Sequence, residues 1–196
     1  MLAKIKNQPP GRLIAIGFAL VILIGAFLLM LPISVRDDAN VHFIDALFTS
    51  TSAVCVTGLI SIDVADHFTF FGQVVVAALI QIGGLGVTSI GVGLILVARK
   101  NVGIKGRILV KEALNIDGIK GIVRLVKSVL LMTFCFELVG VILSFIVFVQ
   151  DYPILKALWI SIFHSIAAFN NSGFDILGGL RNLIPYRSSI LLNLTT

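Results

Sequence analysis

The chain alternates long uncharged runs with short clusters of charge, and the lengths of those runs predict its elements. Leu13–Leu31 is uncharged and about as long as the ~20 apolar residues that cross a hydrocarbon core. It stops at Pro32, ahead of Arg36, Asp37 and Asp38. Phe43–Ser50 is apolar but too short to cross. Asp45 lies near its start, where a carboxylate complements a helix dipole, so it reads as a half-helix with its C-terminal end pointing inward. Phe68–Ala98 carries no formal charge over 31 residues and predicts one tilted or broken span. Ser128–Val149 predicts another span, with Glu137 inside it.

Between the half-helix and the long uncharged run lies Ser52-Ala-Val-Cys-Val-Thr-Gly-Leu59. Val54 and Val56 are stiff at χ1 and disfavour helix, whereas Gly58 permits backbone that a side chain would forbid. The run therefore predicts extended backbone with its carbonyls on a common axis. Such backbone survives at membrane depth only when buried in protein or lining water, and rings of carbonyls that replace a cation's hydration shell are one use of it. The plain alternative is a polar loop that only connects two helices.

Composition turns these runs into a class. Hydrophobic residues make up 58% and charged residues 13%, against about 45–50% and 25% in soluble domains, so the chain reads as an integral membrane protein. The net charge of +5 is not spread evenly. Eleven of the fifteen basic residues fall at Lys4, Lys6 and Arg12 or between Arg99 and Lys127, on one side of the predicted spans. The other side holds Arg36, Lys156, Arg181 and Arg187 with seven aspartates. Basic residues mark the cytoplasmic side, which places the N-terminus inside, in a multi-pass protein of the cell membrane. The basic segment is then explained by topology and lipid headgroup contact, with a short interfacial helix over Val110–Leu114, and no nucleic-acid partner is needed. Cys55 and Cys135 have no metal-ligand spacing and read as free thiols.

A shift of 115 residues lays the first predicted span on the third, and it also lays Ala46–Ser50 on Ser161–Ser165. With no gap, Ala53-Val-Cys-Val-Thr-Gly-Leu59 then falls on Ala168-Phe-Asn-Asn-Ser-Gly-Phe174. Ala, hydroxyl, Gly and a closing large apolar residue coincide. The chain therefore reads as a duplicated unit of span, half-helix, loop and span, a signature of transporters and channels. Residues 1–12 form a cytoplasmic N-terminus, 13–98 the first unit, 99–127 a basic connection and 128–196 the second unit. The same shift carries the second closing span to about residue 213, so the chain is expected to be a piece cut within that span.

The two loop motifs, with Gln81-Ile-Gly-Gly-Leu-Gly86 between them, resemble the Trk/Ktr/HKT family of potassium transporters. The resemblance covers nearly the whole chain. It implies an all-α membrane protein with a potassium-channel-like pore of four units, of which this chain holds one complete and one incomplete. It implies that Val54, Cys55, Val56, Thr57 and Gly58, and likewise Phe169, Asn170, Asn171, Ser172 and Gly173, present K⁺-coordinating backbone, with Gly58 and Gly173 as the key glycines. K⁺ is then the transported ion, with Na⁺ as a possible coupling or regulatory ion and no covalent cofactor. It also implies membrane lipid as surroundings, a homodimer of the full-length subunit and a cytosolic nucleotide-binding regulatory subunit.

Other readings were weighed on the same residues. The glycines at 83, 84 and 86 imitate a dinucleotide fingerprint, but no βαβ unit surrounds them. Close helix packing or a kink fits them better. No nucleophile–base pair supports an enzyme. A non-conducting membrane scaffold is the alternative function. Thr57 and Ser172 are expected to brace their loops, Asn170 and Asn171 to satisfy loop backbone, His164 to pack, and Glu137 to pair within the bundle.

Overall fold

The computed structural model describes residues 9–87, 89–92, 103–113 and 120–196. Lys4, Lys6, Arg99, Lys100, Leu114 and the end of the long uncharged run lie outside the described residues. Among the described residues regular structure is helical, apart from one isolated bridge between Val35 and Phe68. The helices are α1 (Pro10–Leu29), α2 (Phe43–Cys55), α3 (Val64–His67), α4 (Phe70–Leu85), α5 (Ile104–Ala113), α6 (Ile122–Phe148), α7 (Ile154–Phe169) and α8 (Ile190–Asn193). A 3₁₀ turn covers Ile184–Tyr186.

Among the described residues two helices are long and apolar enough to cross a membrane, over Gly11–Leu29 and Ile122–Phe148. Their large apolar side chains point away from the protein: Phe27 on α1 and Phe134 on α6 are each 63% exposed. A buried helix of a soluble core would hide them; a lipid-facing one presents them. α1 starts on Pro10, where a missing N–H costs nothing. It ends two residues before the predicted Leu31, because the residue ahead of Pro32 disfavours α backbone and Ser34 Oγ donates to the Leu28 carbonyl at 2.5 Å. α6 begins six residues before the predicted Ser128 and takes in Arg124 and Lys127. Long basic side chains keep their charge in water while their stems lie on apolar surface, so charge at a span's end does not stop the helix.

α4 carries only the first part of the long uncharged run. It ends at Leu85, Gly86 adopts φ 81° and ψ 134°, and helix resumes when Ile90 N donates to the Gly86 carbonyl at 3.1 Å. The run is broken at Gly86, where only a residue without Cβ takes that backbone easily.

α1 packs on α2, α2 on α4, α4 on α7 and α7 on α6. The buried core runs along these contacts through Leu29, Ala46, Ala53, Val76, Ile80, Ala157 and Phe163. Two short helices are held by the same device. Ser50 Oγ on α2 donates to the Ile22 carbonyl of α1 at 2.7 Å, and Ser165 Oγ on α7 donates to the Glu137 carbonyl of α6 at 2.7 Å. Each hydroxyl faces a glycine on the long helix. A Cβ on Gly25 would stand 2.5 Å from Ser50 Oγ and 2.7 Å from Leu79, and a Cβ on Gly140 would run into Ser165 Oγ. All of these positions correspond under the 115-residue shift.

This close approach gives a signed expectation. Gly25→Ala should destabilise by about 1–3 kcal/mol through overpacking. Gly11→Ala, with nothing within 4 Å of its Cβ position, should stay within about 1 kcal/mol of the parent or exceed it, since Ala favours helix over Gly. Thermal unfolding of the detergent-solubilised protein followed by circular dichroism separates the two; equal midpoints would contradict the packing.

Candidate functional site

α2 is started by a reciprocal pair in which Asp45 Oδ2 accepts from His42 N at 3.3 Å, and it runs to Cys55, five residues beyond the expected half-helix. Val54 and Cys55 are therefore helical rather than extended. The β-branched penalty in a helix is only a few tenths of a kcal/mol, and a complete end cap outweighs it. Val56 turns into left-handed backbone at φ 54°. Val56 N then donates to the Ala53 carbonyl at 3.3 Å and Thr57 N to the Ser52 carbonyl at 3.0 Å. Ser52 Oγ and Thr57 Oγ1 lie 2.9 Å apart in hydrogen-bond contact, so Thr57 braces the turn. Gly58 follows at φ 70°.

α7 ends in the same way. Phe169 is its last residue, Asn170 stays right-handed and Asn171 turns over at φ 52°. Asn171 N donates to the Ala168 carbonyl at 2.9 Å and Ser172 N to the Ala167 carbonyl at 2.8 Å, and Gly173 adopts φ 72°. Each bond is the α2 bond moved by 115 residues. Left-handed backbone at a valine is an outlier that surrounding structure must hold in place, at a cost of roughly 1–3 kcal/mol.

The two loops meet at their glycines. A Cβ on Gly58 would stand 2.7 Å from the Ser172 carbonyl oxygen and 3.3 Å from Gly173 Cα, and a Cβ on Gly173 would stand 3.2 Å from Gly58 Cα. Both positions thus need glycine twice over, for φ and for the approach. The ten residues singled out in the sequence fall into two groups: Val54, Cys55 and Phe169 finish helices, whereas Val56–Gly58 and Asn170–Gly173 form the turns and loops. Cys55 is exposed and its thiol is free, as is that of Cys135.

α4 supports both turns. Gly83 lies against the backbone of Val54, leaving no room for a side chain, and Gly84 lies likewise against the Asn170 side chain. Asn170 Nδ2 donates to Gln81 Oε1 at 2.8 Å and to the Ile166 carbonyl at 2.8 Å. The Glu137 carboxyl lies near the Gln81 side chain, and Glu137 Oε1 is buried without a partner among the described residues. In the sequence Gln81 stands only as the first residue of the glycine motif, with no role of its own. Its partner Asn170 is 89 positions away, and the only available signal was an amide inside an apolar run. His164 packs edge-on against Phe148 at 5.8 Å between centroids.

Beyond the glycines, carboxylates of the first loop region bind backbone of the second. Asp63 Oδ1 caps α3 through Ala65 N at 2.7 Å, while its Oδ2 accepts from Leu180 N at 2.8 Å. Asp66 Oδ2 accepts from Gly179 N at 2.8 Å. Asp175 Oδ1 accepts from Leu177 N at 2.9 Å. Burial pushes the Asp175 carboxyl above the usual range and nearby Asp63 adds to that, with the Leu177 bond opposing. Among the described residues no group of three or more His, Cys, Asp or Glu side chains is placed to hold a metal ion. The oxygens the two loops bring together at their contact are backbone carbonyls.

Residues 13–196 match the family described as TrkH, cation transport protein. The chain is 42% identical over 173 residues to the potassium/sodium uptake protein NtpJ of Enterococcus hirae, covering 88% of this chain and 38% of that protein. It is 44% identical over 185 residues to the Ktr system potassium uptake protein B of Bacillus subtilis, covering 94% and 41%. With the Ktr system potassium uptake protein D of the same organism it shares 35% identity over 193 residues, covering 98% and 42%. The chain thus spans about two-fifths of the length of these curated relatives.

The fit of Asn170 against Gly84 is a coupling that can be measured. Gly84→Ala should cost more stability in the parent than in an Asn170→Ala background, where part of the obstacle is gone. The difference is expected at about 0.5–3 kcal/mol, the range for residues in contact. Additive effects in thermal unfolding would remove this contact.

Proposed function

The chain belongs to the TrkH family of cation transport proteins, and we propose that it forms part of a potassium-translocating subunit of the cell membrane. In this reading 13–98 and 128–196 are duplicated span–half-helix–loop–span units joined by the basic connection 99–127, with the N-terminus, residues 1–12, in the cytoplasm. The ion passes beside the contact of Gly58 with Gly173. The carbonyls of Val56, Thr57 and Gly58, and of Asn171, Ser172 and Gly173, replace water around K⁺, a role that backbone oxygens fill in cation filters. Val54, Cys55, Phe169 and Asn170 end the helices that aim those loops. The C-terminal ends of α2 and α7 add partial negative charge toward the ion. The carboxylates Asp63, Asp66 and Asp175, on the outer side of the loops, raise the local cation concentration.

One observation carries the proposal: two left-handed glycines, 115 residues apart, lie in van der Waals contact at the ends of two matching helices. A loop that only connects helices needs neither feature twice. Two strands leave a coordination ring incomplete, so further strands come from chain beyond these residues or from another copy. The names of the relatives, potassium uptake and potassium/sodium uptake, support K⁺ as cargo and leave Na⁺ as a coupling or regulatory ion. A homodimer of the full-length subunit and a cytosolic nucleotide-binding regulatory subunit complete the proposed assembly.

Gly58→Ser and Gly173→Ser in the full-length protein test this reading. A side chain at either position displaces the opposing loop, and K⁺/Na⁺ discrimination in uptake assays should fall at least about tenfold, equivalent to ~1.4 kcal/mol. Unchanged discrimination, with the variants present in the membrane at parental level, would favour a non-conducting scaffold.

A further inference from the structure

A cleft of about 820 Å³ opens between the first turns of α4 and α7. None of the ten loop residues lines it. We propose that this cleft holds one anionic phospholipid, its phosphate between Arg36 and Lys156 and an acyl chain along the apolar wall below.

The chemistry of the lining selects that occupant. α4 starts at Phe70 and α7 at Ile154, and Arg36, from the segment between α1 and α2, lines the cleft beside them, so the mouth lies at the polar end of apolar helices. The wall below is apolar and open to the side: Leu155 is 83% exposed and Phe70 63%, with Leu158 and Trp159 behind them. The polar groups deeper in the cleft are already engaged. Gln73 Nε2 donates to the Phe68 carbonyl at 3.2 Å, and Gln73 Oε1 accepts from Trp159 Nε1 at 2.7 Å. A polar solute would find no partner there, whereas a hydrocarbon chain needs none.

Charge at the mouth points the same way. Arg36 is tethered through Nε to the Phe68 carbonyl at 3.2 Å, and its guanidinium makes no other hydrogen bond among the described residues. That leaves the fork of its guanidinium toward solvent, the geometry that suits phosphate oxygens. The Lys156 ammonium lies 4.9 Å from the centre of the Tyr152 ring, a contact that places the cation without neutralising it. Asp66 also lines the cleft, but its carboxylate is bound to Gly179 N at 2.8 Å. The first-turn N–H groups of α4 and α7 add positive potential at the same end. Ile176 and Leu177, just past the second glycine loop, form part of the lining. A bound lipid would touch both halves of the chain at once.

Trp159 is the chain's single tryptophan and lines the cleft, so it reports occupancy directly. The protein is reconstituted in phosphatidylcholine vesicles containing, at equal mole fraction, either phosphatidylglycerol or phosphatidylcholine with brominated acyl chains. Brominated phosphatidylglycerol is expected to quench Trp159 with an apparent affinity about tenfold higher, as two basic groups near an anionic headgroup imply. Arg36→Gln with Lys156→Gln should bring the ratio to near one. Equal quenching by both lipids in the parent, an undiminished preference in the double variant, or no quenching by either lipid because protein covers the cleft would each overturn the proposal. The readout contains no ion flux, so its failure leaves the potassium reading untouched, and failure of that reading leaves this site standing.

Discussion

A helix that ends inside a protein leaves carbonyls and amides that must be satisfied where water is scarce, and this constraint shapes the structure. α2 and α7 both end among buried residues, with Ala53 and Val54 on one and Ala167 on the other almost inaccessible. Each is closed by a left-handed residue whose N–H, with the next one, returns to the last-turn carbonyls. Each is also moored to a long helix through a serine hydroxyl, which takes up a further polar group between helices that have no water to share it. The glycines facing those serines are what let the helices approach closely enough. Once the ends are capped and moored in this way, the backbone leaving them has little freedom, and Gly58 and Gly173 are brought together.

What the sequence made legible was what repeats. The 115-residue register was visible in Ala, hydroxyl and Gly positions, and the loop hydrogen bonds follow the same register. Gly25 and Gly140 stand at that offset as well, and each lets a serine of a short helix approach the long one. The error at Val54 and Cys55 has a physical cause. β-branching is a local preference, whereas the helix is extended by a cap formed two residues further on and by burial of Val54. The Gln81–Asn170 bond lay beyond sequence reasoning because it joins α4 to the end of α7. Periodicity places residues within an element and says little about which element meets it.

The halves differ where they face each other and the periphery. Ile22 corresponds to Glu137, Thr49 to His164, and Cys55 to Asn170. Glu137 and Asn170 converge on Gln81 of α4, a helix of the other half, so the polar cluster ties one half to the next rather than closing either upon itself. Thr49 Oγ1 is buried without a partner among the described residues, whereas His164 in its place finds Phe148 and Thr195. The two corresponding stretches occupy different surroundings, and side chains that meet those surroundings need not match.

The loops follow the opposite logic. Val56 and Asn171 share no side-chain chemistry, yet both adopt left-handed backbone within 2° in φ. Thr57 and Ser172 keep a hydroxyl, and Gly58 and Gly173 keep the absence of a side chain. If side chains bound the ion, replacing an isopropyl group by an amide at equivalent positions would change the ligand set and spoil the equivalence of the two loops. Carbonyl coordination asks only that φ and ψ repeat, and a valine held in a backbone region it disfavours shows how firmly the surrounding structure imposes that repeat. The asymmetry of the side chains and the symmetry of the backbone are therefore one argument for the proposal that backbone oxygens would be the ligands of a transported ion.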